Sequence, residues 1–520
     1  MVIRSPHAEL DIPDVPVTPF VLERAAEYGE HAALVDGSSG RTITHAQLDG
    51  LVRRCAAGLI ERGLRPGEVV AIFSPNVPEY AVAFHGVALA GGASTTINAL
   101  YTADEIAFQL RDAGARFLVT APGLECALAA AAQAGIEEVF VFGEAEGATP
   151  FEALLERDAD PPEIHLDPAD HVVSLPYSSG TTGLPKGVML THRNLVANAL
   201  QVIAVRPFRR DDVLVGFLPL FHTYGQTVVM NASLREGATV VTMPRFDLEQ
   251  YLALSQEYRA TLAYIVPPVV LALAKHPSVD GFDLSSLRSI LSGAAPLDAE
   301  LAGACSERLG CEVVQGYGMS EASPVTHMTP IGAPPNPGSI GPLVPGSEAR
   351  IVDVATGDEV EPGSPGELLV RGPQVMKGYL NNEAATSNTI VDGWLHTGDV
   401  AAVDGDGWFA IVDRIKELIK VKGYPVAPAE LEAVLLTHPA VADACVIGVP
   451  DPDAGEVPKG FVVLSETVEL DELMEYVAGR VSPHKKIRQL ELIDAIPKSP
   501  SGKILRRVLA ERERAARASP

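Results

Sequence analysis

YSSGTTGLPKG, residues 177–187, packs three glycines, four serine or threonine hydroxyls and one lysine into a single stretch. Such a composition suits a phosphate, because glycine frees backbone N–H groups and the side chains add donors and a positive charge. It is not a Walker A loop, since Lys186 follows Pro185 and precedes Gly187 where that pattern needs Gly-Lys-Ser/Thr. The apolar run HVVSLP (171–176) leads in and GVML (187–190) leads out, so the loop joins two strands. A strand-flanked loop has no helix N-terminus to offer an anion. Its donors are therefore backbone amides, the hydroxyls of Ser178, Ser179, Thr181 and Thr182, and the ammonium of Lys186.

The surrounding chain is long enough, at 520 residues, for about two to four domains. Its composition, 47% hydrophobic and 21% charged, reads as soluble and globular. A formal charge of −27 argues against a nucleic-acid partner, whose phosphates would be repelled. Cys55, Cys126, Cys305, Cys311 and Cys445 are scattered and lack C-x-x-C spacing, which indicates neither a disulfide framework nor a zinc site. They read as small core residues in a reducing compartment. The opening MVIRSPHAELDIPDVP has prolines and acids where a signal peptide needs an apolar centre, and no run is long and apolar enough to span a membrane. The expected location is the cytoplasm.

Hydrophobic periodicity divides the chain. TITHAQLDGLVRRCAAGLIERG (42–63) starts with a T-x-x-Q capping box at Thr44 and Gln47 and places Leu48, Leu51, Val52, Cys55 and Leu59 on one helical face, with Gly63 as the stop. The strand-like VVAIFS (69–74), a small-residue helix (80–92), and the strands RFLVT (116–120) and VFVFG (139–143) follow. The same alternation resumes in VLVGFLPL (213–220), ATVVTMP (238–244) and TLAYIVPP (261–268), a rhythm that favours parallel sheets covered by helices. From about 338 to 412 short strands with many Gly and Pro turns predict a β-rich lobe. Charge density then rises in VDRIKELIKVKGYPVAPAELE (412–432), and the remaining residues have strands and a helix of their own, enough for a small domain. The terminal LRRVLAERERAARASP reads as a charged, solvent-facing helix.

Neither HExxH, nor GxSxG, nor a convincing GxGxxG is present. In their place stands an ordered set: YSSGTTGLPKG, SGAAPL (292–297), QGYGMSE (315–321), WLHTGD (394–399), DRIKELIKVKG (413–423) and SPSGKILRR (499–507). This set resembles the adenylate-forming superfamily of acyl-CoA synthetases, peptide-synthetase adenylation domains and beetle luciferases. LPLFHTYG, SGAAPL, QVMKGYL and KGYPVAPAELE resemble its 4-coumarate–CoA ligase-like branch. The resemblance implies an α/β fold: a large N-terminal domain of helix-covered sheets with the β-rich lobe (1–412), a hinge (413–416) and a small mobile α+β C-terminal domain (417–520). It implies a ligase that uses ATP, Mg²⁺ and coenzyme A to convert a carboxylic acid into acyl-AMP and then acyl-CoA, as a monomer or homodimer. The acid is of cinnamic, other aryl or medium-chain type. Two alternatives remain open: transfer of the acyl group to an amine or a carrier protein, and a non-catalytic acyl-nucleotide binder. Luciferase-like oxygenation is a further outsider.

Mapped residue by residue, the resemblance sets the glycine-rich loop, Gly180 included, on the β,γ-phosphates, with Thr182 and Glu321 near the metal. Gln315, Gly316, Tyr317 and Gly318 run along the adenine, Ser320 meets the α-phosphate, and Asp399 with Arg414 takes the ribose hydroxyls. Lys503 is the lysine that reaches between carboxylate and α-phosphate, a mobile point charge on a long stem. Lys416 lies near the hinge and Lys420 faces the nucleotide, while Lys422 and Gly423, with Arg245, face CoA. The acyl pocket takes His222 as a gate beside the carboxylate, with Tyr224, Val228, Ala294, Gly318, Pro324 and Val325. Two residues depart from the family pattern. Leu291 stands where hydroxycinnamate-specific relatives often carry lysine, and Pro425 replaces the glutamine of KGFQVAP, removing a backbone donor.

Overall fold

The computed structural model describes residues 2–518 apart from 158, 179–184, 335, 362, 423, 452–453 and 500–501, with backbone only at 424, 425, 484, 517 and 518. The helix His45–Glu61 begins at the predicted capping box: Thr44 and Gln47 exchange hydrogen bonds in both directions. Leu48, Val52, Cys55 and Leu59 are buried and Leu51 is half-buried, while Gly63 takes φ +87° just past the helix end. This helix crosses Pro78–Leu89 at Gly86, where a Cβ would lie 2.5 Å from Cys55 Sγ, so only glycine lets the two backbones approach.

Three sheets build the large part. In the first, Ala93–Ile97, Val69–Phe73, Ala115–Thr120, Glu138–Val141 and Thr149–Pro150 run parallel, and Val172–Ser174 continues that order to the antiparallel Lys186–Thr191 and Tyr177–Ser178. The glycine-rich loop is thus strand-flanked, as read from the sequence. A second sheet joins Val213–Gly216, Thr239–Thr242 and Ala32–Asp36 in parallel and adds Thr42–Thr44 antiparallel. A third runs Leu262–Ile265, Ser289–Ser292, Glu312–Gly318 and the antiparallel Val325–Met328. One continuous core, from Val17 to Tyr379, underlies all three. The buried Arg206 caps the helix His192–Val205 and anchors the third sheet, donating to the Thr329 carbonyl at 2.7 Å and pairing with Glu312 at 2.7 Å. Removing one member of such a pair costs about 3–5 kcal/mol.

The β-rich lobe is real but not contiguous. Ile3–Arg4 pairs with Glu348–Val352 and so brings the chain start into its sheet. Conversely, Gly378–Tyr379, inside the expected 338–412 span, leaves the lobe and pairs with Lys186–Thr191. Two-residue strands carry too little periodicity to reveal their partners. The last part has a sheet ordered Tyr424–Val426, Ile419–Val421, Gly455–Leu464, Val441–Asp451, with Gln489–Leu492 alongside Gly455–Leu464, and a separate core that includes Val446, Val462 and Leu473. Its terminal helix Arg506–Ala518 is mostly solvent-facing, as read, but one face packs. It buries Leu509, pairs Arg506 with Glu432 at 2.5 Å, and sets Glu513 2.6 Å from Lys459. Sequence alone shows a run of charges, not that oppositely charged partners await it.

All five cysteines are free, and among the described residues no helix is long and apolar enough to cross a membrane. His45, His85, His192 and His327 are buried, and burial lowers their pKa values to about 4, 3, 3 and 3 respectively. The unfolded chain protonates each near pH 6.5 whereas the fold keeps them neutral, so their contribution is complete above that pH and is lost as pH falls. Each should remove about 1.4 kcal/mol of stability per pH unit below ~6.5. Urea midpoints measured at pH 7.5, 6 and 5 are expected to fall in that order. A flat series would show that the fold accepts these protons.

Candidate active site

The strand Glu312–Gly318 places QGYG at the edge of the third sheet. Gly318 faces the chain that returns beneath it: a Cβ would lie 2.1 Å from the Pro324 carbonyl oxygen, so any side chain would force the two segments apart. Gln315 takes a supporting position, its Oε1 accepting the Leu297 N–H at 2.8 Å and thereby holding the SGAAPL turn. Tyr317 reaches further, and its hydroxyl donates to Asp399 Oδ2 at 2.5 Å. Asp399 lies on Trp394–Val403 directly opposite Arg414 on Phe409–Arg414, and the guanidinium Nε stands 3.4 Å from Asp399 Oδ1. Burial pushes the Asp399 carboxyl upward, and Arg414, Tyr317 and Lys503 oppose that shift by favouring its charged form.

Lys503 arrives from the far end of the chain. Its N–H donates to Ser499 Oγ at 3.1 Å and the Ser499 N–H donates back to the Lys503 carbonyl at 2.8 Å, closing a tight loop. That loop seats on the large part: Gly502, at φ +77°, comes so near the VPP turn that a Cβ would lie 3.2 Å from Val266 Cγ2. The half-buried ammonium is lowered in pKa by desolvation and by Arg414, against the raising influence of Asp399, Glu321 and Glu417. His222 belongs to the same cluster. Its pKa is lowered to about 3 by burial and by the Lys503 charge. Its Nδ1 accepts the Tyr224 N–H at 3.2 Å, so the neutral ring carries its proton on Nε2.

Beyond His222 the chain enters the π-helix Tyr224–Ala232. The Tyr224 hydroxyl donates to the Leu291 carbonyl at 3.2 Å, and the ring lies against Gly293 of the SGAAPL turn, where a Cβ would be 3.1 Å away. Val228, Pro324 and Val325 are buried, and Ala294 adopts φ +71°. Tyr224, Val228 and Val325 share the continuous core with Leu291, which is 2% exposed, and Ala294 packs against it.

Ser179, Gly180, Thr181 and Thr182 lie outside the described residues. The base of their loop is defined: Tyr177 and Ser178 pair with Gly187 and Lys186, and the Tyr177 hydroxyl donates to Asp112 Oδ2 at 2.6 Å. Glu321, 6% exposed, follows Ser320 in a single 3₁₀ turn and accepts the Tyr379 hydroxyl at 2.8 Å. Tyr379 was not singled out among the candidate residues. Its only sequence signal was its place in QVMKGYL, because cross-sheet contacts leave no periodic trace.

Lys416 and Lys420 are exposed and line an open groove of about 640 Å³ together with Leu418 and Glu456. Lys422 is exposed at φ +51°, Gly423 is outside the described residues, and Pro425 lies on an edge strand opposite Lys420, where a missing N–H is tolerated. Arg245 is exposed just beyond Thr239–Thr242.

The buried Tyr317–Asp399 bond should pre-set the carboxylate for a diol. Tyr317→Phe is expected to weaken AMP binding roughly three- to tenfold, the effect of one hydrogen bond, with little change in Tm. Calorimetric titration with AMP checks this; unaltered affinity would detach the pair from the nucleotide.

Comparison with known proteins agrees with the geometry. The AMP-binding enzyme family model matches residues 21–380, and that of the AMP-binding enzyme C-terminal domain matches residues 430–503. 4-Coumarate–CoA ligase 5 of Oryza sativa subsp. japonica is 44% identical over 98% of this chain and 96% of its own. The 4-coumarate–CoA ligase of Pinus taeda is 44% identical over 98% of this chain and 97% of its own. Among solved structures, the anthranilate CoA ligase AuaEII in complex with anthranoyl-AMP is similar with TM-score 0.91 and 28% identity, covering 98% of this chain and 99% of that one. The amide bond synthetase McbA from Marinactinospora thermotolerans gives TM-score 0.86 and 27% identity over 96% and 100%. Matched by both family models, and by 4-coumarate–CoA ligases over nearly its whole length, this chain belongs to the AMP-binding enzyme family.

Proposed function

We propose that the protein is an ATP-dependent carboxylate–CoA ligase acting on an aryl acid of the cinnamic type. The observation that carries this reading is the position of Lys503, held half-buried in the field of Arg414, Asp399 and Glu321 and beside His222 by a loop seated on Val266. A cation at that point meets the main obstacle to the first half-reaction, in which one anion must approach another.

A carboxylate oxygen attacks the α-phosphorus of ATP, the bond from that phosphorus to the bridging oxygen breaks, and pyrophosphate leaves. Lys503 neutralises charge between the two reactants. Asp399 accepts the ribose hydroxyls, Tyr317 and Arg414 keep it ionised, and Ser320 contacts the α-phosphate. Lys186 and the hydroxyls of Ser178, Ser179, Thr181 and Thr182, with the amide of Gly180, hold the departing phosphates. Glu321 and Thr182 would hold Mg²⁺. The donor set fits: it is hard oxygen, Glu321 is buried with one oxygen already oriented by Tyr379, and among the described residues no group of three or more His, Cys, Asp or Glu is poised for a metal. A metal bound chiefly through substrate phosphate needs few protein ligands. When bound, the ion supplies charge neutralisation to the phosphates.

In the second half-reaction the CoA thiol gives its proton to solvent, its sulfur attacks the acyl carbon, the bond from that carbon to the phosphate oxygen breaks, and AMP departs. Rotation of residues 417–520 about 413–416 would exchange Lys503 for the face that bears Lys416, Lys420, Lys422 and Gly423, with Arg245 as a CoA phosphate contact. Asp413, at the start of that segment, accepts the Arg414 and Ala429 N–H groups at 2.7 and 3.1 Å, the latter in the first turn of the helix Pro428–Leu436. The 4-coumarate relatives supply the acid class. The apolar Leu291 favours an unsubstituted distal ring edge, cinnamate over 4-coumarate.

Two measurements test the reading. Pyrophosphate release over cinnamic, benzoic and medium-chain acids, with and without CoA, should be greatest with a cinnamic acid and yield a thioester when CoA is present. Release that yields no thioester, but an amide on addition of an amine, would move the protein to the amine-acceptor class. Lys503→Ala should slow adenylation at least ~100-fold while converting supplied acyl-AMP and CoA within about threefold of the parent rate. Equal loss in both halves would remove Lys503 from its assigned step.

A further inference from the structure

We propose that Tyr379 is the positioning residue of the adenylation half-reaction, holding the Glu321 carboxylate with its hydroxyl and the Lys186 ammonium with its ring. The inference rests on the ligase reading above. Two groups assigned to the phosphates come from separate parts of the chain, and one side chain touches both. The Tyr379 hydroxyl donates to Glu321 Oε1 at 2.8 Å. Its ring centroid lies 4.2 Å from Lys186 Nζ.

The backbone around this phenol leaves it little freedom. Tyr379 is 5% exposed and sits opposite Val188, on the strand that begins at Lys186. Leu380 N–H donates to the Gly187 carbonyl at 2.8 Å and Lys377 N–H to the Met189 carbonyl at 3.0 Å, which fixes the segment to the exit of the glycine-rich loop. Met376 N–H donates to the carbonyl of Glu321 itself at 2.8 Å, and Tyr379 N–H donates to Thr386 Oγ1 at 2.8 Å. QVMKGYL therefore joins the loop base to the Glu321 turn through main chain as well as side chain.

The chemistry favours a tyrosine over other residues at this point. A hydroxyl donor to one carboxylate oxygen orients Glu321 without neutralising it, so the other oxygen stays available to a hard cation. An aromatic face attracts an ammonium without the full charge of an acid, so Lys186 keeps its positive charge for phosphate. A carboxylate in place of the ring would compete with the phosphate, and an aliphatic side chain would leave the ammonium unsupported. The spacing between the metal-binding carboxylate and the phosphate-binding lysine is thereby set before ATP arrives, which is the form electrostatic catalysis requires.

The test separates hydroxyl from ring. Tyr379→Phe keeps the ring and the strand pairing, whereas Tyr379→Met keeps bulk and loses both functions. Mn²⁺, visible by electron paramagnetic resonance, is titrated into the full-length protein with ATP and no acid, and affinity for inorganic pyrophosphate is measured separately. Tyr379→Phe should weaken Mn²⁺ binding about ten- to a hundredfold, the effect of one hydrogen bond to a charged group, and leave pyrophosphate affinity within about twofold. Tyr379→Met should weaken both. Supplied acyl-AMP and CoA should give thioester at the parent rate in each variant, which a generally loosened fold would not allow. Parent-like Mn²⁺ binding by Tyr379→Phe overturns the hydroxyl role, and parent-like pyrophosphate binding by Tyr379→Met overturns the ring role. Failure of the unmodified protein to bind Mn²⁺ with ATP would instead reject the ligase reading on which the proposal stands.

Discussion

The pairing of Asp399 with Arg414 across two adjacent strands is the constraint on which the rest of the site depends. A buried carboxylate is costly, and burial alone drives Asp399 toward its neutral form. The β-ladder supplies the remedy by register, because residues directly opposite each other cannot drift apart without unzipping the lobe. Tyr317 adds a hydrogen bond from the third sheet, and Lys503 adds charge from the C-terminal part. One acid is therefore stabilised by three separate parts of the fold. The same arrangement ties the small domain to the large one, since Arg414 ends the last strand of the lobe.

A second junction works on the phosphate side. Tyr379, on a strand of only two residues, spans Lys186 and Glu321, so the loop base and the QGYGMSE turn behave as one unit. Tyr224, Val228, Leu291 and Val325 belong to the continuous apolar core. An enzyme that holds an aryl group while neutralising a triphosphate needs both an apolar surface and fixed charges.

Much of this was legible from residues alone. The T-x-x-Q box and the Leu48, Val52, Cys55, Leu59 stripe became the capped helix His45–Glu61 because capping and amphipathicity are local, and local interactions are written in consecutive residues. The alternating runs became strands: Ala115–Thr120 lies within a residue of RFLVT, whereas TLAYIVPP and VLVGFLPL stop being strand at Ile265 and Gly216, three and four residues before their expected ends. What escaped was non-local. Ile3–Arg4 joins a lobe more than 340 positions later, and Gly378–Tyr379 leaves that lobe for another sheet. The Gln315 side chain holds the SGAAPL turn through the Leu297 N–H, a partner that an amide in a glycine-rich strand does not announce. The terminal charged helix is mostly solvated, as read, and only folding shows that one face pairs Arg506 with Glu432 and Glu513 with Lys459.

Sequence by itself determined the alternation of helices and strands, the two-part organisation, the ordered set of phosphate-suited segments and the family they resemble. Each of these depends on residue type and spacing along the chain. Tertiary structure alone decided that Lys503 stands in the field of Asp399, Glu321 and His222, that Lys416 and Lys420 line one open groove, and that Tyr379 bridges Lys186 to Glu321. The physical reason is that charge interacts through space and falls off with distance, whatever the separation in sequence. Which ion meets which is therefore settled only when the sheets have packed and the terminal loop has come to rest against Val266.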